Sequence, residues 1–105
     1  MTAFNSFDEL LRFAIAHRRL VRLRYHGNVR VAEPHDYGVL KRIERLFVYQ
    51  LSSVRRVPGQ RVVGWRLLDV AKIEGCDVLD DHFQGSRRQS HRHHHVWDVV
   101  YARVE

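Results

Sequence analysis

Apolar residues recur along this chain with two periods, and the change from one to the other marks out the fold. Between residues 6 and 19 the spacing is helical, and Phe7, Leu10, Leu11, Ala14 and Ile15 form one stripe. Ser6 and Glu9 have capping-box spacing, so hydroxyl and carboxylate can each satisfy a backbone donor at the helix start. Asp8 and Glu9 fall in the first turn and Arg18 and Arg19 in the last, as the helix dipole favours. The pattern predicts an amphipathic helix over 6–19.

From residue 20 the period is two. Val21, Leu23 and Tyr25 alternate with Arg22 and Arg24, which predicts a strand with one buried face. His26-Gly27-Asn28 reads as a turn, and Val29 and Val31 resume the alternation, so 20–32 is expected to be a hairpin. Pro34 is expected to stop it, since proline has no N–H for the ladder, and 33–45 reads as irregular. Further strands are expected at 46–52, 62–68 and 76–79, with a turn at Pro58-Gly59 and a short turn at 69–73. A polar loop over 84–95 leads to a last strand over 96–104. One helix followed by five or six short strands predicts a mainly β protein, a small barrel with an N-terminal α-helix. Its 105 residues fit a single domain, with barrel core 20–83.

Composition adds a partner class. Lys and Arg total 18 against 12 Asp and Glu, a formal net charge of +6, and the only lysines are Lys41 and Lys72. Arginine presents a planar fork of donors that matches phosphate and stacks on bases, so the excess points to an anionic partner. Cys76 stands alone, which excludes an intrachain disulfide and a cysteine-based zinc site. No stretch approaches the ~20 apolar residues of a membrane span, and the N-terminus lacks the pattern of a signal peptide. A soluble, cytoplasmic protein with no membrane partner is expected.

Catalysis finds little support. Asp80 and Asp81 are adjacent and suit a solvated turn, the serines sit in no nucleophile-elbow context, and the glycines form no phosphate loop. The chain is expected not to be an enzyme and to need no cofactor. His91, His93, His94 and His95 could attract a metal, but consecutive residues rarely converge on one ion, so a polar loop is the preferred reading and no metal site is assigned. Arg87, Arg88 and Arg92 share that loop and read as a solvated charge run or as phosphate contacts.

The strands hold the more informative group. Arg30, His35, Tyr49, Gln50, Trp65 and Arg66 are polar or amphipathic residues in or beside segments otherwise built for a core. Aromatics interleaved with arginine are what a single-strand binding face needs, rings stacking on bases and guanidinium groups meeting phosphate. Tyr49 and Trp65 read equally as core packing. Arg66 lies mid-strand between Trp65 and Leu67, where a charge must be paired, with Glu33 or Asp69, or face a pocket.

In order along the chain stand Leu23-Arg24-Tyr25, Arg30-Val31-Ala32-Glu33-Pro34-His35, Tyr37-Gly38, Val48-Tyr49-Gln50, Gly64-Trp65-Arg66 and Asp80-Asp81-His82-Phe83. Over residues 8–83 this series resembles the WYL domain family in its short stand-alone form. The tripeptide that names the family is replaced here by Val48-Tyr49-Gln50, and the helix-turn-helix module often attached to it has no room in 105 residues. The resemblance implies an Sm-like, SH3-type barrel of five or so strands. It also implies a bacterial regulatory role linked to transcription, with single-stranded nucleic acid or a nucleotide-like ligand bound in a basic groove. By position, the family's pocket arginines fall on Arg30 and Arg66. The expected function is therefore anionic-ligand sensing. The alternative is a protein-interaction or oligomerisation module without nucleic-acid binding, a homo-oligomer formed through the edge of the last strand.

Overall fold

The computed structural model describes residues 4–87 and 95–105. Helix α1 spans Phe7–Ala16, and the Ser6 hydroxyl caps it by accepting from the Glu9 N–H at 3.1 Å. The helix stops earlier than its apolar spacing predicts. Arg18 turns left-handed, with φ 52°, and Arg19 already pairs with His82 as the first residue of β1 (Arg19–Tyr25). A left-handed residue breaks the helical ladder, and cross-strand pairing outweighs one more turn of helix. No basic residue is left in the last turn.

Leu11, Ala14 and Ile15 are buried, Leu11 completely at 0% exposure. Leu11→Ala is therefore expected to cost about 2–5 kcal/mol of stability, read as a shift of the urea midpoint. An unshifted midpoint would mean that this stripe is not core.

The remaining elements are β2 (Asn28–Leu40), β3 (Ile43–Ser53), β4 (Gly64–Asp69), a 3₁₀ turn (Val70–Lys72), β5 (Ile73–His82) and β6 (Val99–Arg103). All strand pairs are antiparallel, in the order β4-β3-β2-β1-β5, with β6 also on β2. The fold is mainly β with one N-terminal helix, as the pattern predicts. The β1–β2 turn places His26 and Gly27 at φ 51° and 71°, the two positive values of a tight hairpin whose twist matches its strands. Lys41 and Arg42 do the same at the β2–β3 turn, and the Asp98 carboxylate fastens it by accepting the Arg42 N–H at 2.8 Å.

A further expectation needs correction. Pro34 does not end the hairpin, and 33–45 is not irregular, because β2 runs straight through to Leu40. The register slips between Pro34 and Asp36, and at such a bulge the missing N–H leaves no ladder bond unmade. The slip lets one edge of β2 serve two strands, β1 along residues 28–32 and β6 along 36–39, while β3 covers the other edge. The sheet is barrel-like, as expected, without being closed. Its end strands β4 and β5 are not paired with each other among the described residues; the 3₁₀ turn carries the chain from one end to the other without a ladder.

The core lies between α1 and one face of the sheet, built on Val21, Leu23, Tyr37, Leu46 and Val48. Phe83 and Val104 close it, the Val104 N–H donating to the His35 carbonyl at 2.8 Å. Gly38 is where β2 and β6 come closest: a Cβ there would stand 2.0 Å from the Val99 carbonyl oxygen. Among the described residues no helix is long and apolar enough to cross a membrane.

Candidate anion-binding site

Neighbouring residues of a strand point to opposite faces, and that rule divides the six candidate residues. Tyr49 pairs with Trp65 and with Glu33, so these three share the outer face. Gln50 pairs with Ala32 and Arg66 with Val48, on the face that carries the core. Arg30, paired with Leu23, joins that core face. The structure thus brings Arg30, Gln50 and Arg66 together and sends Tyr49 and Trp65 to the other side. His35, beside the Pro34 bulge, is fully buried at 0% exposure.

Beyond the last core residues, the core face opens into a pocket of about 230 Å³. Arg30 and Arg66 line its sheet side, and Arg55, Arg56 and Val57 line it from the β3–β4 loop. His26 adds an imidazole and Asn28, Gln50, Ser53 and Gln60 add neutral polar groups, but among the described residues no carboxylate lines the pocket. The Arg30 guanidinium donates to Gln50 Oε1 at 3.2 Å and to the Tyr25 carbonyl at 3.4 Å, and it lies 5.4 Å from the centre of the Tyr25 ring. Its buried Nε has no hydrogen-bond partner among the described residues. Burial, and then the like charge of Arg66, hold the Arg30 pKa below its ordinary value. A desolvated cation facing a second cation is an unfavourable arrangement that an anion relieves.

The loop wall is fastened in three places. Asn28 accepts the Arg55 N–H at 2.8 Å and donates to the Arg55 carbonyl at 3.4 Å. Gln50 Nε2 donates to the Val62 carbonyl at 2.7 Å. Arg66 donates to the Trp65 carbonyl at 2.9 Å and to the carbonyl of Arg61. The two carboxylates considered as partners for Arg66 are engaged elsewhere, Asp69 with Arg45 and Lys72, and Glu33 with Arg87 and His35. Arg66 therefore acts through its fork on backbone carbonyls, and its guanidinium makes no other hydrogen bond among the described residues. Donors already held in place bind an anion without first being ordered.

The outer face is a closed cluster. Glu33, 5% exposed, accepts two bonds from Arg87 at 2.7 and 2.8 Å and one contact from His35 Nε2 at 3.1 Å. Burial pushes the Glu33 carboxyl up, but the bonds and charges of Arg87 and His35 together outweigh it and hold the pKa below its ordinary value. The Arg87 guanidinium also covers the Tyr49 ring, 3.9 Å from its centre. Trp65 stacks on Phe47 at 4.7 Å and meets Tyr49 and His35 edge-on. These rings pack against one another and against Arg87.

Sequence reasoning left out Arg55 and Arg56, which follow no periodicity; their one sign was an Arg-Arg pair on the loop that leads back to Arg66. Among the candidates of the polar loop, Arg87 proves to be the partner of Glu33, and His95 meets Phe47 edge-on at 5.2 Å. Arg88, His91, Arg92, His93 and His94 lie outside the described residues. The Cys76 thiol, pushed up to about 12 by burial and then by the Asp77 charge, is poorly nucleophilic. No family model, no curated protein and no solved structure matches this chain.

Proposed function

We propose that this chain is a WYL-like ligand-binding module whose core-face pocket holds the phosphate of a nucleotide-like ligand or of a single-stranded nucleic acid, in a regulatory rather than a catalytic role. One observation carries the reading: Arg30, Arg55, Arg56 and Arg66 converge on one pocket that no carboxylate lines. Guanidinium forks recognise phosphate oxygens in pairs, and the sequence resemblance independently picks out Arg30 and Arg66.

The test is a titration with a labelled single-stranded oligonucleotide and with nucleotides, at rising salt. Affinity is expected to fall steeply with salt, as phosphate contacts require. Arg66→Lys keeps the charge but loses the fork that holds two carbonyls, so it is expected to weaken binding nearly as much as Arg66→Ala, by about tenfold or more. Both variants are expected to melt within a few degrees of the wild-type protein, because no carboxylate loses its partner. Absence of any binding at low salt sinks the proposal. Loss of stability in both variants, with affinity merely following, would make Arg66 a strut and move the site elsewhere.

A second reading is pairing with another chain: the last strand, expected to supply the edge, lies on β2, so the reading draws instead on the outer edges of β4 and β5, which pair with no further strand among the described residues. Light scattering that finds a stable oligomer indifferent to nucleic acid would favour it.

A further inference from the structure

We propose that the arginine pocket selects a terminal di- or triphosphate over the internal phosphodiesters of a strand. This rests on the anion-binding reading above and narrows its ligand.

Charge density is the first argument. Four arginines share about 230 Å³ with no carboxylate to offset them. An internal phosphodiester brings one negative charge, and its neighbours follow along the strand. A terminal phosphate monoester alone carries about −1.5 to −2 at neutral pH, and a di- or triphosphate concentrates still more charge in the same small space. A triphosphate comes closest to the charge of the four arginines, and a diphosphate still offsets more of it than one internal phosphodiester does.

Size and lining point the same way. The pocket is smaller than the roughly 300–1,000 Å³ of sites that enclose a whole drug-sized molecule. It takes a phosphate chain and leaves the rest of the ligand outside. Among the described residues that line it, the only ring is the His26 imidazole. Tyr49 and Trp65, the rings that could stack on bases, sit on the opposite face, one beneath Arg87 and the other against Phe47. Base stacking, the usual source of strand affinity, has only the small His26 imidazole to use beside the arginines. Recognition therefore rests on the phosphates.

The experiment is calorimetry on the full chain at one fixed ionic strength. The probes are inorganic phosphate, pyrophosphate, tripolyphosphate, ADP, and a short oligothymidylate carrying either a 5′-triphosphate or a 5′-hydroxyl. Pyrophosphate is expected to bind about tenfold or more tighter than phosphate, the equivalent of one further charge-assisted bond. ADP is expected to match pyrophosphate, and the triphosphorylated oligonucleotide to exceed its hydroxyl counterpart by a similar factor. Arg55→Gln and Arg56→Gln, exposed loop changes that spare the core, are each expected to remove most of that preference. If the two oligonucleotides bind equally, the inference fails while anion binding stands. If no probe binds, both fail. Pyrophosphate binding that survives Arg55→Gln and Arg56→Gln combined would also overturn it, by locating the anion outside this pocket.

Discussion

Gly38→Ala is expected to lower the melting temperature on the order of 15 °C, the equivalent of about 3 kcal/mol. The Cβ would stand 2.0 Å from the Val99 oxygen and 3.0 Å from Val100 Cα, all backbone, so no side chain can swing aside. Either β6 leaves β2 or the two strands separate along their whole contact. If β6 leaves, Val104 is pulled out of the core and Arg103 is parted from the Asp36 carboxylate it meets at 2.9 Å. Gly75→Ala is the matched control. It also lies within a strand, but a Cβ there meets nothing within 4 Å, and a change within about 0.5 kcal/mol is expected. Equal melting of the two variants would mean that β6 does not lie against Gly38.

Glu33→Gln is expected to cost about 3 kcal/mol at neutral pH, the low end for removing one charge of a buried pair because Arg87 is partly exposed. The glutamine keeps the shape but meets Arg87 and His35 with a neutral amide. The carboxyl pKa is held below the ordinary glutamate value of 4.5 in the folded chain. Its contribution is therefore present above pH 4.5 and is lost as pH falls through the lower, folded value. The stability gap between wild type and Glu33→Gln is expected to be widest near neutral pH and to narrow below pH 4.5. Urea denaturation of both proteins across that range measures it. A gap that stays constant into strong acid would show that the ionised carboxylate is not what holds this cluster.

How far these features could be read from the sequence varies with their range along the chain. Local chemistry read well. Ser6 caps α1, His26-Gly27 turns the first hairpin, and alternation from Val21 onward gives β1 its buried face. Reading failed where pairing across the sheet overrode a local preference. Arg18 gives up a helical turn so that Arg19 can face His82, and Pro34 rides through β2 on a register slip that no single strand reveals. The candidate site was half readable. Arg30 and Arg66 stood out as charges in core-patterned strands, and they do meet on one pocket. Grouping all six residues overlooked that adjacent strand residues cannot share a face, a rule that parts Tyr49 from Gln50 and Trp65 from Arg66. The hold of Arg87 on Glu33 spans 54 residues, and no local pattern carries that information.

The division of one β2 edge between β1 and β6 bears on how the chain reaches its fold. β1 meets β2 across a two-residue turn, so that pairing closes quickly. β6 meets the other half of the same edge from far along the chain, with Asp36 and Arg103 separated by 67 residues. Closing a loop of that length carries an entropy penalty that grows with its logarithm, and it is repaid only once β2 has taken up its register slip beside Pro34. Contacts of this range slow folding. Until β6 arrives, the 36–39 edge presents bare ladder groups around a glycine with no side chain to shield them. In the interval before its most distant partner docks, these few residues of β2 thus add a transient site of misassembly to the end-strand edges of the sheet.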